Sequence, residues 1–207
     1  MDKLVIAAIA KWPNVPPCFG WLGLDARGHW HMRDDGVQAA GPFVLASGES
    51  GSASKGSLLH HDKLIDFIQR NCASDEQGQW FFQNGPQRVY LELEATPHIW
   101  RLQPDGRVLD HSGQDAGTVQ RSLVDELGRL YLATPLGIGL VHTADMALAG
   151  DAVERCDWTP EEVDSQALPA QFGFVRSPQR VQQASAAASS QQRRPHERTL
   201  PTSGERP

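Results

Sequence analysis

Three turn sequences of one pattern recur at intervals of 50 residues, and they constrain the fold more than any other feature of the chain. They occupy 25–30, 75–80 and 125–130, and each reads Asp-x-x-Gly-x followed by Trp or Leu. An acidic residue opens such a turn, glycine adopts backbone angles that other residues resist, and the large apolar residue then enters a core. The recurrence therefore predicts related units built from tight turns and short strands.

The second and third turns continue into similar strands, DEQGQWFF at 75–82 and DELGRLYL at 125–132. With one residue deleted from the next turn, Val89 matches Ile138. Turn-and-strand segments also resemble one another by chance, and that alternative stays open. A β-propeller needs at least four blades of ~40–45 residues, which is more than the ~150 foldable residues supply. The pattern favours an α+β fold, with antiparallel sheets, a few helices and two related helix-plus-hairpin units.

The clearest local elements are a hairpin and two helices. Asn84-Gly85, a favoured tight-turn pair, separates strands predicted over Gln79–Gln83 and Gln87–Glu94, and alternation in the second strand predicts one buried and one solvated face. Ser57 is a predicted N-cap for an amphipathic helix from about Leu58 to Asn71. A short N-terminal helix that packs on the body is predicted from apolar residues at helical spacing: Leu4, Val5, Ala8 and Ile9.

Composition divides the chain into a single α+β domain over 1–175 and a tail over 176–207. The predicted order within the domain is an N-terminal helix and hairpin (1–45), a mobile Gly/Ser loop (46–57), unit one (57–103), unit two (104–154) and an irregular C-terminal cover (155–175). Beyond Arg176, only Val181 and Leu200 are large apolar residues. We therefore expect the tail to be disordered.

The composition also narrows the classes of function. The 207 residues carry a formal net charge of −6, without the basic clusters of a nucleic-acid binder. The longest apolar run is Leu4–Ala10, whereas a membrane-spanning helix needs ~20 residues. The three cysteines form no CxxC pair, which is typical of reduced thiols. The sequence therefore predicts a cytoplasmic protein with no membrane or nucleic-acid partner.

Four segments together resemble a bacterial protein family of unknown function: WPNVPPCFGWLGLDARGHWHMRDD, SKGSLLHHDKLIDFI, GQWFFQNGPQRVYLELEATP and GLVHTADM. The resemblance covers residues 11 to about 178 and implies no catalytic residue. The order GxW, helix, DExGxW and PxRVxLxL is similar to a second uncharacterised bacterial family of repeated α+β motifs, for which a signalling role is suspected. The Gly/Ser loop is longer here than in the first family, so its residues inherit no role.

A metal site is one hypothesis that the residues allow. His29 and His31 share one face of a predicted strand, and His60 or His61 could add a third imidazole. Such a cluster would support a metal-assisted hydrolase. The solvated faces of a strand and a helix explain the same residues, and this second interpretation is favoured.

Other catalytic patterns are weaker. No G-x-S-x-G nucleophile motif occurs, and Lys55-Gly56-Ser57 lacks the residue order of a phosphate-binding loop, although a helix amino end beside it could attract an anion. Glu92 and Glu94 share one strand face, as an acid–base pair would and as an ordinary outer sheet face does. No cofactor signature is found.

These observations favour a non-catalytic binding or regulatory protein over an enzyme, with the metal-assisted hydrolase as the alternative. The expected partner is an unknown protein or a small-molecule ligand, and no cofactor is expected. The residues predicted as surface contacts are Trp30, Lys55, Asn84, Arg88 and His142.

Overall fold

Two six-stranded sheets form the body of the protein in a computed structural model that describes residues 1–46, 48–155 and 157–192. In chain order the strands are β1 (Cys18–Leu24), β2 (Trp30–Met32), β3 (Ser57–Leu58), β4 (Cys72–Ser74), β5 (Trp80–Asn84), β6 (Gln87–Leu93), β7 (His98–Leu102), β8 (Val108–Leu109), β9 (Arg121–Asp125), β10 (Leu130–Thr134), β11 (Gly137–Val141) and β12 (Glu161–Val163). The helices are α1 (Lys3–Lys11), α2 (Asp35–Ala40), α3 (Asp62–Arg70), α4 (Met146–Glu154), α5 (Leu168–Phe172) and α6 (Pro178–Gln192), and a 3-10 turn covers Thr143–Asp145. None of these helices combines the length and the apolar character that crossing a bilayer requires.

The two sheets share a strand order over five strands, which are β2-β1-β6-β5-β4 in the first sheet and β8-β7-β11-β10-β9 in the second. The first reads β3-β2-β1-β6-β5-β4, and the second reads β8-β7-β11-β10-β9-β12. In each sheet a parallel pair near the centre, β1 with β6 or β7 with β11, joins antiparallel ladders on either side. The pairing of β12 with β9 is also parallel, and the remaining pairs are antiparallel. The predicted α+β class, with mostly antiparallel sheets, is confirmed.

Corresponding residues of the hairpins β5–β6 and β10–β11 are 50 positions apart on both sides of the turn. Phe81 lies opposite Tyr90 in the first hairpin. Tyr131 lies opposite Leu140 in the second. The one-residue deletion predicted between them is therefore wrong, because the registers require none. The matching strand order begins at β1 and β7 rather than at 57 and 104, and an internal repeat stays a prediction.

The main hydrophobic core lies between the sheets. Strands β1 and β6 of the first sheet contribute Leu22, Leu24, Leu91 and Leu93, which pack in one cluster with residues of the second sheet, including Ile99, Leu123, Tyr131 and Leu140. A second cluster, which includes Trp100, Leu132 and Ala149, covers the other face of the second sheet beneath α4. Strand β10 is consequently buried along its whole length, as strands covered on both faces are.

Both predicted helices form, with differences at their ends and faces. In α1 only Val5 is buried, whereas Leu4 is 85% exposed, so the helix contacts the body along a narrower stripe than its apolar spacing predicts. The second helix begins at Asp62 and not at Leu58, and His61 rather than Ser57 caps it. The reason is that Ser57 and Leu58 pair with β2 as a short edge strand.

The predicted solvated face of β6 is instead covered. Tyr90 and Glu92 are both buried on that face, because the segment leading into α6 and the helix itself lie over β1 and β6. Residues 178–192, which the sequence placed in a disordered tail, form this helix. The expected disorder of 193–207 lies outside the described residues.

Candidate functional site

A cavity of about 210 Å³ lies where the ends of the two sheets meet. Among the side chains that line it are Trp30, Cys72, Trp80, His98, Asp110 and His111. They come from β2, β4, β5, β7 and the turn that follows β8. The cavity thus collects aromatic and ionisable groups from both sheets at one place.

The recurring turns position the two tryptophans of the cavity. Asp25 and Asp75 each accept hydrogen bonds from the backbone N–H groups two and four residues later, and this closes the turn. Gly28 and Gly78 in these turns have φ of +79° and +75°, a left-handed conformation that glycine adopts without strain. Trp30 and Trp80 follow two residues later, at the first positions of β2 and β5. The motif therefore directs both indoles into the cavity.

His98 forms the polar centre of the cavity wall. Its Nε2 lies 3.1 Å from the backbone oxygen of Leu136, and its Nδ1 lies 3.5 Å from Asp110 Oδ2. The ring stacks on Trp100 at 5.0 Å and meets the edge of Trp80 at 5.2 Å. His98 is 7% exposed, so its orientation is set by these neighbours rather than by solvent.

Asp110 supplies a negative charge next to His98. Its Oδ1 accepts hydrogen bonds from the Ser112 backbone N–H, the Ser112 hydroxyl and the Gln114 backbone N–H. Burial by itself would raise the pKa of Asp110, but the hydrogen bonds from His98 and Ser112 outweigh burial and hold that pKa well below its ordinary value. The carboxyl is therefore ionised at neutral pH.

His111 and Cys72 are held in uncharged forms. Burial lowers the pKa of His111 to about 4, and the His111 Nδ1 accepts a long hydrogen bond of 3.4 Å from the Ile99 backbone N–H. Burial also raises the pKa of the Cys72 thiol to about 12. A thiol that stays protonated at neutral pH is a poor nucleophile.

The cavity does not assemble a nucleophile and a base. The Ser112 hydroxyl donates to Asp110 and not to an imidazole. The Nε2 of His98 is engaged by a backbone carbonyl. The Ser–His–Asp order of contacts that activates a hydroxyl is therefore not formed by these described residues.

One buried polar atom of the cavity, Trp30 Nε1, has no partner among the described residues, whereas the buried His98 Nδ1 faces Asp110 Oδ2 at 3.5 Å. Trp30 is 2% exposed. Buried polar groups are nearly always satisfied, and each exception in a native structure calls for an explanation such as a bound molecule. Such an atom in the lining of this cavity makes it the candidate functional site.

The five predicted contact residues are scattered, and only Trp30 lines the cavity. Trp30 is 2% exposed and so does not lie on the surface, and its role as a binding residue stays a prediction. Lys55 pairs with Glu94 Oε1 at 2.6 Å, and the exposed Arg88 lies 4.5 Å from the Phe81 ring. Asn84 is exposed at the end of β5, and His142 accepts a hydrogen bond from Ala144 N at 3.0 Å. Across 1–46, 48–155 and 157–192, no hydrogen bond or ion pair joins any two of the five.

The four histidines of the metal hypothesis do not meet at one place, since only His29 and His31 share a neighbour. His31 Nε2 and His29 Nδ1 lie 2.9 and 3.4 Å from Asp25 Oδ2. His61 instead caps α3 by accepting from the Leu64 backbone N–H, and His60 is exposed. Within the described residues no group of three or more His, Cys, Asp or Glu side chains is placed to hold a metal ion.

Sequence reasoning missed Trp80, His98, Asp110 and His111 as parts of one site. One signal was available, since the recurring turns predicted that the large apolar residue after each glycine, which is Trp80 in the second turn, enters a core. The approach of His98 to Asp110 had no comparable signal, because it depends on how β7 and the turn after β8 pack together.

A second concave surface is an open groove of about 420 Å³ between α3 and the first sheet. It exposes the apolar side chains of Trp21, Met32 and Leu64, and Asn84 lies at its edge. No buried polar atom of a groove residue lacks a hydrogen bond among the described residues. The cavity between the sheets is therefore a better candidate for a specific ligand site than the groove.

Comparison with known proteins identifies a family model and one similar solved structure. A family model described as "Protein of unknown function (DUF2946)" matches residues 1–179. No curated protein matches the chain. The crystal structure of a DUF1285 family protein from Silicibacter pomeroyi DSS-3 is similar at a TM-score of 0.45 and 11% sequence identity, over 73% of this chain and 84% of that chain. Neither description states an activity.

Proposed function

The chain belongs to a family of proteins of unknown function (DUF2946), as its sequence motifs predicted, and we propose that it is a non-catalytic binding protein for a small molecule held in the inter-sheet cavity. One observation carries the proposal. Trp30 Nε1 is buried in the lining of the cavity and has no partner among the described residues. A ligand that accepts a hydrogen bond from this indole would satisfy it.

The size and lining of the cavity support a small and partly aromatic ligand. An apolar cavity of about 150 Å³ accommodates benzene. The cavity here has about 210 Å³ and is lined by Trp30, Trp80, His98 and His111. Ligand sites are typically apolar and aromatic with a few polar groups that orient the ligand, and this lining fits that description.

Binding without chemistry is the interpretation that the geometry favours. The Ser112 hydroxyl faces Asp110, the Cys72 thiol is protonated, and His98 Nε2 is engaged by Leu136. The alternative, a metal-assisted hydrolase, is not favoured, because His29 and His31 both face Asp25 whereas His61 caps α3. Binding of a ligand between the sheets would instead couple them, which suits a regulatory role.

The proposal places the protein in the cytoplasm. Cys18 and Cys72 are free thiols of intermediate exposure, as is common in a reducing compartment. Cell fractionation with detection in the soluble cytoplasmic fraction would support this location. Detection with the secreted or membrane fractions would oppose it.

A pair of matched cysteine variants tests the binding site. Cys72→Met fills the cavity, whereas Cys18→Met places the same side chain in the open groove, since Cys18 lines the groove and Cys72 lines the cavity. The melting temperature is measured with toluene, phenol, benzamide, nicotinamide and nicotinate, each at millimolar concentration. A compound present at tenfold its Kd should raise the melting temperature by about 3–6 °C.

We expect at least one compound to stabilise the wild-type protein and the Cys18→Met variant, but not the Cys72→Met variant. If no compound stabilises the wild-type protein, or if Cys72→Met responds as the wild type does, the cavity is not the ligand site.

A further inference from the structure

We propose that a second cavity, separate from the one between the sheets, binds a small monocarboxylate through Arg176. This cavity has a volume of about 140 Å³ and lies at the amino end of α6. Its described lining has no residue in common with that of the inter-sheet cavity. The inference therefore goes beyond the proposed function and does not depend on it.

Arg176 is a half-buried cation for which the described residues provide no carboxylate within ion-pair distance. Its Nη2 donates to the Ser165 backbone oxygen at 2.9 Å, whereas its Nε is buried and has no partner in the described part of the chain. Burial lowers the pKa of Arg176, yet a guanidinium keeps its charge in proteins. Buried charges are normally paired, so this side chain calls for an anion.

Other arginines of the fold have carboxylate partners of their own. Arg180, which also lines the cavity, pairs with Glu49 at 2.6 Å. Arg129 pairs with Asp125 at 2.7 Å. Arg176 differs from both in that its guanidinium is left to a ligand.

The acidic residue of the lining, Glu92, already has partners. It accepts hydrogen bonds from the Ser177 hydroxyl and the Gln179 backbone N–H, and the charge of the buried Arg33 acts on it. Since Glu49 neutralises Arg180, the positive charge of Arg176 remains without a counter-ion. A ligand with a single negative charge would match it.

The apolar part of the lining favours a carboxylate over inorganic phosphate. Phe43, Val44, Leu45 and Leu93 line the cavity beside the charged residues. Such side chains can bury the alkyl body of a carboxylate, whereas phosphate would expose oxygen atoms to them on every side. The volume of about 140 Å³ is close to the roughly 150 Å³ of a cavity that holds benzene, so a ligand of about six non-hydrogen atoms fits.

Isobutyrate and isobutyramide are the matched probes, because they are equal in shape and differ in charge. Inorganic phosphate tests the other anion, and potassium chloride at the same ionic strength controls for screening. At tenfold its Kd, isobutyrate should raise the melting temperature of the full-length protein by about 3–6 °C. We expect it to bind at least tenfold more tightly than isobutyramide or phosphate.

The contact itself is followed through the arginine Nε–H signals of the ¹⁵N-labelled full-length chain. The Arg176 signal is the one missing from the spectrum of Arg176→Lys, and isobutyrate should shift it. Arg176→Lys keeps the charge but lacks Nε, so we expect isobutyrate to bind about tenfold more weakly to it. The matched control is Arg121→Lys, at an exposed arginine that pairs with Glu161 outside the cavity, and it should bind as the wild type does.

Three results would overturn the inference. Equal binding of isobutyramide would show that the charge is not recognised, and tighter binding of phosphate would replace the ligand class. An unmoved Arg176 signal, or wild-type affinity in Arg176→Lys, would show that Arg176 does not hold the ligand. If Arg176→Lys does not fold, the comparison of isobutyrate with isobutyramide decides, because it uses the wild-type protein.

One further variant separates this inference from the proposed function. Cys72→Met fills the inter-sheet cavity and leaves the lining of the second cavity intact. We expect this variant to bind isobutyrate as the wild type does. Loss of isobutyrate binding in Cys72→Met would place the carboxylate between the sheets and would contradict a site at Arg176.

Discussion

The hydroxyl of Tyr131 donates a hydrogen bond of 2.9 Å to Asp125 Oδ2, six residues earlier in the chain, and both residues are buried. The same spacing relates His31 to Asp25, at 2.9 Å. In the turn at 75 the residue six positions later is Phe81, which has no polar atom. There Tyr90, the cross-strand neighbour of Phe81, donates to Asp75 at 3.0 Å.

In each of these turns, the two carboxylate oxygens of the aspartate therefore have different roles. Oδ1 closes the turn through backbone N–H groups, and Oδ2 anchors a side chain of the following strands. Asp110 follows the same rule, with His98 facing its Oδ2. In this last turn the anchored side chain belongs to the candidate ligand site. The aspartate that closes the turn therefore also positions His98 in that site.

Asp125→Asn should destabilise the protein by about 2–3 kcal/mol, because the amide nitrogen would face the donors of Tyr131 and Arg129 in a buried site. The matched control is Asp105→Asn, in an exposed turn where the carboxylate meets only Arg107. We expect urea unfolding of the control to resemble that of the wild type. Equal losses in both variants would contradict the importance of the buried anchor.

His111 should make stability depend on pH between about 6.5 and 4. Burial lowers its pKa from 6.5 to about 4, so in this range the unfolded chain binds a proton that the folded protein does not. The contribution is present above pH 6.5 and is lost as the pH falls toward 4, at a cost on the order of 2–3 kcal/mol. Urea unfolding at pH 7 and pH 4.5 measures it.

The variant His111→Phe keeps a ring against Trp30 and should flatten this dependence, whereas His60→Gln, on the exposed start of the α3 region, should leave it unchanged. If His111→Phe keeps the wild-type slope, another group is responsible for the loss of stability.

Ser177→Ala should loosen α6 without unfolding the sheets. The Ser177 hydroxyl and the Gln179 backbone N–H both donate to the buried Glu92, which is 3% exposed. Burial raises the pKa of Glu92, and losing one donor leaves its carboxylate less satisfied at neutral pH. We expect trypsin to cleave after Arg180 about tenfold faster, as a local opening made easier by about 1.4 kcal/mol allows.

The control for this cleavage is Ser185→Ala, since the Ser185 hydroxyl bonds only within the exposed part of α6. The same cleavage rate in both variants would show that Glu92 does not anchor the helix.

Val5→Ala should cost about 1–2 kcal/mol, because the Val5 side chain is 3% exposed and its removal leaves a void. Leu4→Ala should change the free energy of unfolding by less than about 0.5 kcal/mol, because Leu4 projects into solvent. Thermal unfolding distinguishes the two. A larger loss for Leu4→Ala would mean that another surface covers this face of α1.

The parts of the fold that were predicted correctly are those that depend on neighbours in sequence. The Asn84-Gly85 turn joins β5 and β6 as its residue types indicate, and the Asp-x-x-Gly turns close through bonds spanning two and four residues. The helix at Asp62–Arg70 follows from apolar periodicity. The predicted start of this helix was wrong, because Ser57 and Leu58 pair instead with β2, a strand that is distant in the chain.

The sequence by itself determined the turns, the hairpins, the α+β class and the family of this protein, since each depends on residue types a few positions apart. Only the tertiary structure decided which faces are covered and which side chains meet. The parallel pairings of β1 with β6 and of β7 with β11 join distant segments, α6 then covers Glu92, and Trp30 is directed inward to share a cavity with His98 and Asp110. No local sequence pattern specifies these contacts, because the free energy that stabilises them comes from packing between segments that are far apart in the sequence.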